Sequence, residues 1–470
     1  MGQEIYRIYF DSEDFARFER RLADETELLG EWLRLRRFSP AGHVGGFELE
    51  GWLIDRHFSP APINEAYLGR LANPLVVPEL SKFNVELNST PQPLSANALS
   101  LLETELTRTW RHCLEVAHDL ESTLILIGIL PTVREADLSL ANISPLNRYH
   151  ALNAQILKRR GGQPLRVRIA GAERLGLLHG DVMLEAATTS FQVHVQVPAG
   201  EAVRYYNASQ ILAAPMVAVA ANSPFLFERQ LWDETRIPLF EQAVDTREAR
   251  RVTFGEAYLA QSPGEIFIDN MRRFSVLLPV EFASSVEGLC HLRLHNGTIW
   301  RWNRLLVGWG ADGEPHLRIE HRVMPAGPSI VDMIANAALY LGAVRFLAGT
   351  GRAPEDDLAF AEACANFYRA ARAGLQADVV WLDGRLLPVR KLLREALIPM
   401  AQEGLRLLGI DEDESRRYLS VIRGRVESGQ NGAVWQKAYV ARHGRDFFRL
   451  TAAYLENQRS GSPVHEWSLC

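Results

Sequence analysis

GGFELEGWLID, residues 45–55, sets Glu48 and Glu50 two positions apart in an otherwise apolar run. Side chains alternate along a β-strand, so this spacing projects both carboxylates from one face, about 7 Å apart. Like charges so placed repel and weaken a sheet. A strand built this way needs something positive between or beside its acids.

Three further segments repeat the pattern. In KFNVELNSTPQP (82–93), Val85 and Leu87 oppose Glu86 and Asn88. In TSFQVHVQVP (189–198), Phe191, Val193, Val195 and Val197 oppose Gln192, His194 and Gln196. In HLRIEHRVMPAGP (316–328), Arg318, Glu320 and Arg322 oppose Ile319, His321 and Val323. Alternation alone is the ordinary mark of an antiparallel sheet with one wet face. These polar positions, however, hold side chains that ligate metals or grip phosphates and carboxylates.

If the strands are neighbours, Glu48, Glu50, Glu86 and Glu320 share one face, and Glu79 in VVPEL (76–80) joins them from the edge. Arg318 and Arg322 supply part of the counter-charge. Hard divalent cations are the other natural solution, since Mg²⁺ prefers carboxylates, waters and phosphate oxygens. Two cations ~3.5–4 Å apart fit between carboxylates at i and i+2. Such a face is suited to stabilising a transferring phosphoryl group.

The rest of the chain narrows the alternatives. Its 470 residues carry 47% hydrophobic and 23% charged residues with net charge −6, an ordinary globular composition without the basic stripe of a nucleic-acid binder. The four cysteines, at 113, 290, 364 and 470, lack metal-ligand spacing and read as reduced thiols. The N-terminal sequence has no signal-peptide core and no run suggests a membrane span, so a cytoplasmic location is expected. No P-loop, dinucleotide fingerprint, HExxH pair or GxSxG elbow is present.

Helical spacing marks a lead-in helix over 12–37, another over 95–121 and a third over about 204–221. Residues 275–325 read as β-rich, and a long apolar helix follows Ser329 and Asp332. Beyond it nearly everything reads as helix. Within this tail, SGQNGAVWQ (428–436) reads as a turn and helix start, or as a substrate loop.

Five segments, taken in order, resemble the glutamate–cysteine ligase family with its carboxylate–amine ligase branch. They are GFELEGWLI, VELNSTPQP, SFQVHVQV, AANSPFLF (220–227), and the pair GTIWRWNR (297–304) with RIEHRVMPAGPSIVDMIA (318–335). The resemblance spans about residues 44 to 345. It implies an α+β fold of the glutamine-synthetase-like type: a curved, mainly antiparallel sheet with helices on its convex side. Residues 1–345 would form the catalytic domain and 346–470 a helical region packed on it or beside it.

The resemblance also implies roles. Glu48, Glu50, Glu79, Glu86 and Glu320 would hold Mg²⁺, with Mn²⁺ able to substitute. Gln192 or His194 would take the third-strand ligand position, and Gln192, His194, Gln196 and Arg318 are the candidates for contacting ATP. Arg322 and either Arg301 or Arg304 would steady phosphate or substrate carboxylate. The implied activity is ATP-dependent amide formation through an acyl phosphate, with glutamate as acid and cysteine as amine donor, as in glutathione biosynthesis. A kinase of a guanidino or amino compound and a non-catalytic metabolite-binding relative are the rivals. The oligomeric state stays open, a homodimer included.

Overall fold

The computed structural model describes residues 4–469. Its centre is a curled antiparallel sheet in the order β7-β8-β6-β1-β3-β2. These strands are β1 (Val44–Ile54), β2 (Val76–Pro78), β3 (Asn84–Asn88), β6 (Ser190–Val197), β7 (Asn303–Trp309) and β8 (Pro315–Pro325). Two short strands, β4 (Gln92–Pro93) and β5 (Thr123–Ile125), pair with opposite ends of β1.

Alternation decides which side of this sheet does what. Along β1, Phe47 and Leu49 are buried while Gly46, Glu48 and Glu50 are half-buried on the opposite face. The apolar faces of β6 and β8 meet two helices, α3 (Ala202–Ala220) and α4 (Ile330–Ala348). The His321 ring on the back of β8 stacks on Tyr340 of α4 at 4.0 Å, and Asn303 bonds Gln210 of α3 at 2.7 Å. Helix α4 has the length and composition of a membrane span, yet 78% of that span is buried inside the protein. It is a core helix.

The C-terminal helices close over the same layer. Gly404 of α5 (Ile398–Leu408) lies so near α4 that an added Cβ would sit 1.8 Å from the Gly342 carbonyl oxygen. Only glycine permits that approach. From α6 (Glu412–Ser428), buried Arg425 reaches Asp332 at 2.9 Å and Asn336 at 2.7 Å. Asp332 also caps α4 with Ser329 at 2.8 Å, so this one carboxylate ties the helical tail to the body. The stretch 428–436 is a turn and helix start: Asn431 is the cap, its side chain accepting from the Val434 amide at 3.0 Å.

Two expectations need adjusting. The stretch 275–299 is not β-rich; it is loop followed by a helix, Cys290–Gly297, whose packing against the lead-in helix overrides the polar–apolar alternation of His291 to His295. The lead-in helix is α1 (Ser12–Arg34), three residues shorter than expected, and the helix expected over 95–121 is α2 (Ala98–Asp119). Helix α1 docks on the 290–297 helix through a buried pair, Glu25 to His291 Nδ1 at 2.7 Å, with the Leu292 amide on the same carboxylate. Cys113, Cys290 and Cys364 are free thiols; Cys470 lies outside the described residues.

Candidate active site

Strand register assembles the polar face. Glu50 lies opposite Glu86, Glu48 opposite Gln192, His194 opposite Glu320, and Glu320 opposite Arg304. Side chains directly opposite each other share a face, so five strands, β1, β3, β6, β7 and β8, contribute to one surface. A β-bulge in β8 between His321 and Met324 adds a residue against β6 and leaves Arg322 on the polar side, beside Gln192. Above this surface lies a cavity of about 540 Å³, within the ~300–1,000 Å³ of ligand pockets.

The acids form two groups. Glu48, His194 and Glu320 make one; Glu50, Glu79 and Glu86 make the other. In each, one ligand atom per residue lies within 4.8 Å of the others. The all-carboxylate group suits a hard cation such as Mg²⁺, and the imidazole-bearing group suits a softer one equally well. The donor sets therefore fit the metals that the sequence led us to expect.

The two groups differ in charge balance. Glu320 is chelated by Arg304, Nε to Oε2 at 2.7 Å and Nη2 to Oε1 at 2.9 Å, and Arg322 Nη1 adds a contact at 3.0 Å. Burial would raise its proton affinity, but the two guanidiniums hold it well below the usual carboxylate range. Glu48 is likewise buried, yet the His194 imidazole, 3.3 Å away, holds it down at about 2.

Among the described residues no arginine salt bridge to the second group is seen, though Arg322 acts on Glu50 and Arg148 on Glu79 from farther off. Burial and the neighbouring carboxylates push Glu50 and Glu79 each up to about 7 and Glu86 well above its usual value. Glu50 is oriented by the Ser190 amide at 2.7 Å, Ser190 Oγ at 3.0 Å and Gln192 Nε2 at 3.1 Å. Gln192 in turn accepts from Arg322. This network holds the carboxylate in place without neutralising its neighbours, which a bound cation would do.

The remaining expected residues divide. Arg318 lines the cavity, and its buried Nε has no hydrogen-bond partner among the described residues. Gln196 shares the face's parity, opposite Arg318, but does not line the cavity: its amide turns to the Ala41 carbonyl at 3.1 Å, at the exposed end of β6. Arg301 is also elsewhere. It sits on a separate two-stranded ribbon with residues 252–253, and its guanidinium is held by Asp269 at 2.5 Å and Asn270 at 2.9 Å. Trp302 beside it is core, its indole bonded to Glu241 at 3.0 Å.

The cavity also has walls that alternation did not reveal. Glu185 comes from a 3₁₀ turn, Val182–Ala187; Arg148 and Tyr149 come from the start of the helix Asn147–Arg159; Arg293 comes from the 290–297 helix. A charged residue inside the apolar run VMLEAA was the one available signal for Glu185.

Comparison with known proteins bears on the family and the fold. The family model described as glutamate-cysteine ligase family 2 matches residues 45–451, well beyond the segments that carried the resemblance. No curated protein matches the chain. Among solved structures, the glutamate–cysteine ligase of Francisella tularensis in complex with AMP is similar at 11% identity, covering 90% of each chain with a TM-score of 0.55. A bifunctional glutathione synthetase from Pasteurella multocida aligns at 12% identity and a TM-score of 0.49, covering 93% of this chain and 55% of its own.

Proposed function

The chain belongs to the glutamate-cysteine ligase family 2, and from that premise we propose that it is an ATP-dependent carboxylate–amine ligase. The observation that carries the reading is the pair of three-ligand groups, Glu48–His194–Glu320 and Glu50–Glu79–Glu86, side by side under one cavity with arginines at its edge. A structural sheet would not gather three carboxylates with no ion pair among the described residues, the more distant Arg148 and Arg322 offsetting them only in part.

The proposed chemistry has two steps. The γ-phosphoryl of ATP passes to a carboxylate oxygen of the acid substrate, giving ADP and an acyl phosphate. The amine then attacks the acyl carbon, phosphate leaves, and an amide remains. Mg²⁺ or Mn²⁺, held by the two groups, would neutralise phosphate charge. The protein's own part is positioning and electrostatics. Arg304 and Arg322 fix Glu320, Gln192 and Ser190 fix Glu50, and Arg318 offers an unengaged N–H to phosphate or carboxylate oxygens.

Glutamate as acid and cysteine as amine are the specific substrates of this proposal, which would place the enzyme in the cytoplasm on the route to glutathione. The test is incubation with ATP, Mg²⁺, a panel of amino acids and hydroxylamine, followed by phosphate and hydroxamate assays. Hydroxamate specific to one acid is expected. ADP with a stable phosphorylated product would mean a kinase, and ligand binding without turnover a non-catalytic relative; either result overturns the proposal.

A further inference from the structure

Glu185 belongs to neither three-ligand group, yet it lines the same cavity. Its mount is rigid. Asp181 caps the turn by accepting from the Met183 amide at 2.9 Å, Asn153 accepts from the Val182 amide at 3.1 Å, and Thr188 bonds the Glu185 carbonyl through N and Oγ1 at 2.8 and 2.7 Å. Met183, Leu184, Ala186 and Ala187 are buried in the core. Residues three apart superpose in a 3₁₀ turn, so Val182 and Glu185 together face the cavity.

The Glu185 carboxylate makes no hydrogen bond or ion pair among the described residues. The charges around it are Glu50 from β1, Glu79 from the end of β2 and Arg322 from β8. Arg148 acts on the same Glu79 from the helix opposite. Burial and Glu50 push the carboxyl up to about 8, Arg322 opposing. An unpartnered carboxyl in a half-buried position costs stability, and a rigid mount would hold it there for a cation to meet.

Resting on the ligase reading above, we propose that Glu185 receives the ammonium group of the amine donor and takes its proton. An ammonium has no lone pair with which to attack. One N–H bond breaks, its proton passes to a Glu185 oxygen, and the freed electron pair forms the N–C bond at the acyl carbon. The C–O bond to phosphate breaks, its electron pair leaves with phosphate, and the second nitrogen proton leaves as hydrogen phosphate forms. A carboxylate held rigidly on the cavity wall, with no partner of its own among the described residues, is placed to accept that proton as the amine attacks.

Hydroxylamine separates this role from a structural one, because it is uncharged at neutral pH and needs no base before attack. Glu185→Gln should lower amide formation with the amine that the wild-type protein couples fastest by about 100-fold or more. Hydroxamate formation and ATP cleavage with hydroxylamine should stay within about threefold of wild type. Glu185→Asp should show the same split to a smaller degree, and serves if the glutamine variant fails to fold. Equal loss of both activities, or undiminished amide formation, overturns the assignment. A wild-type protein that makes no hydroxamate would instead sink the ligase reading itself.

Discussion

Arg304 grips Glu320 at both carboxylate oxygens across the β7–β8 ladder, and both residues are about 1% exposed. Removing one partner of such a pair leaves a buried charge uncompensated. Arg304→Met should therefore lower unfolding stability by about 3 kcal/mol, read from denaturant midpoints at constant slope. A loss below about 1 kcal/mol would mean that Arg322 alone satisfies Glu320.

Glu50→Gln keeps the shape and one of the two acceptor oxygens that Ser190 uses while removing one charge from the all-carboxylate group. Turnover should fall by about 100-fold or more, and the rise in melting temperature on adding Mg²⁺ should shrink, with the far-UV spectrum unchanged. Wild-type metal dependence in this variant would remove Glu50 from the ligand set.

Without divalent metal, stability should fall as pH rises from about 5 to 8. Glu50 and Glu79, each at about 7, and Glu185, at about 8, lie above the ordinary carboxylate value in the folded protein. The folded state then binds more protons than the unfolded chain across that interval, so their contribution is full below the unfolded value and lost through the folded one. Glu48 has the opposite sign, but its loss lies near pH 2. Because binding a metal needs ionised ligands, stabilisation by Mg²⁺ or Mn²⁺ should grow over the same interval. A melting temperature that climbs with pH in chelator would contradict this.

Arg301→Gln should leave kcat/KM within about threefold of wild type. Its guanidinium is bound to Asp269 and Asn270, away from the acid face. A loss of 100-fold or more, comparable to that expected for Glu50→Gln, would return it to the site.

Arg301 also shows what a sequence can and cannot disclose. The polar faces of β1, β3, β6 and β8 were legible because a strand repeats every two residues, and an antiparallel register carries that repeat from strand to strand. Glu48, Glu50, Glu86, His194 and Glu320 all followed from it. Arg301 and Arg304 stand three apart, so one strand could not present both on one face; the choice between them needed the ladder with β8. Gln196 kept the right parity but lies at the strand's open end, where distance from the acids decides. Glu185, Arg148 and Arg293 come from helical turns whose orientation depends on packing, and no period in the sequence records it.

The central claim is that acids from four parts of the chain hold divalent metal under one cavity, where ATP meets it. Crystals grown with Mn²⁺ and a non-hydrolysable ATP analogue, examined by anomalous diffraction, test this directly. We expect one peak among Glu48, His194 and Glu320, another among Glu50, Glu79 and Glu86, and analogue phosphates reaching toward Arg318. An anomalous map with no peak in either group, while the analogue or the metal sits elsewhere on the protein, would contradict the account.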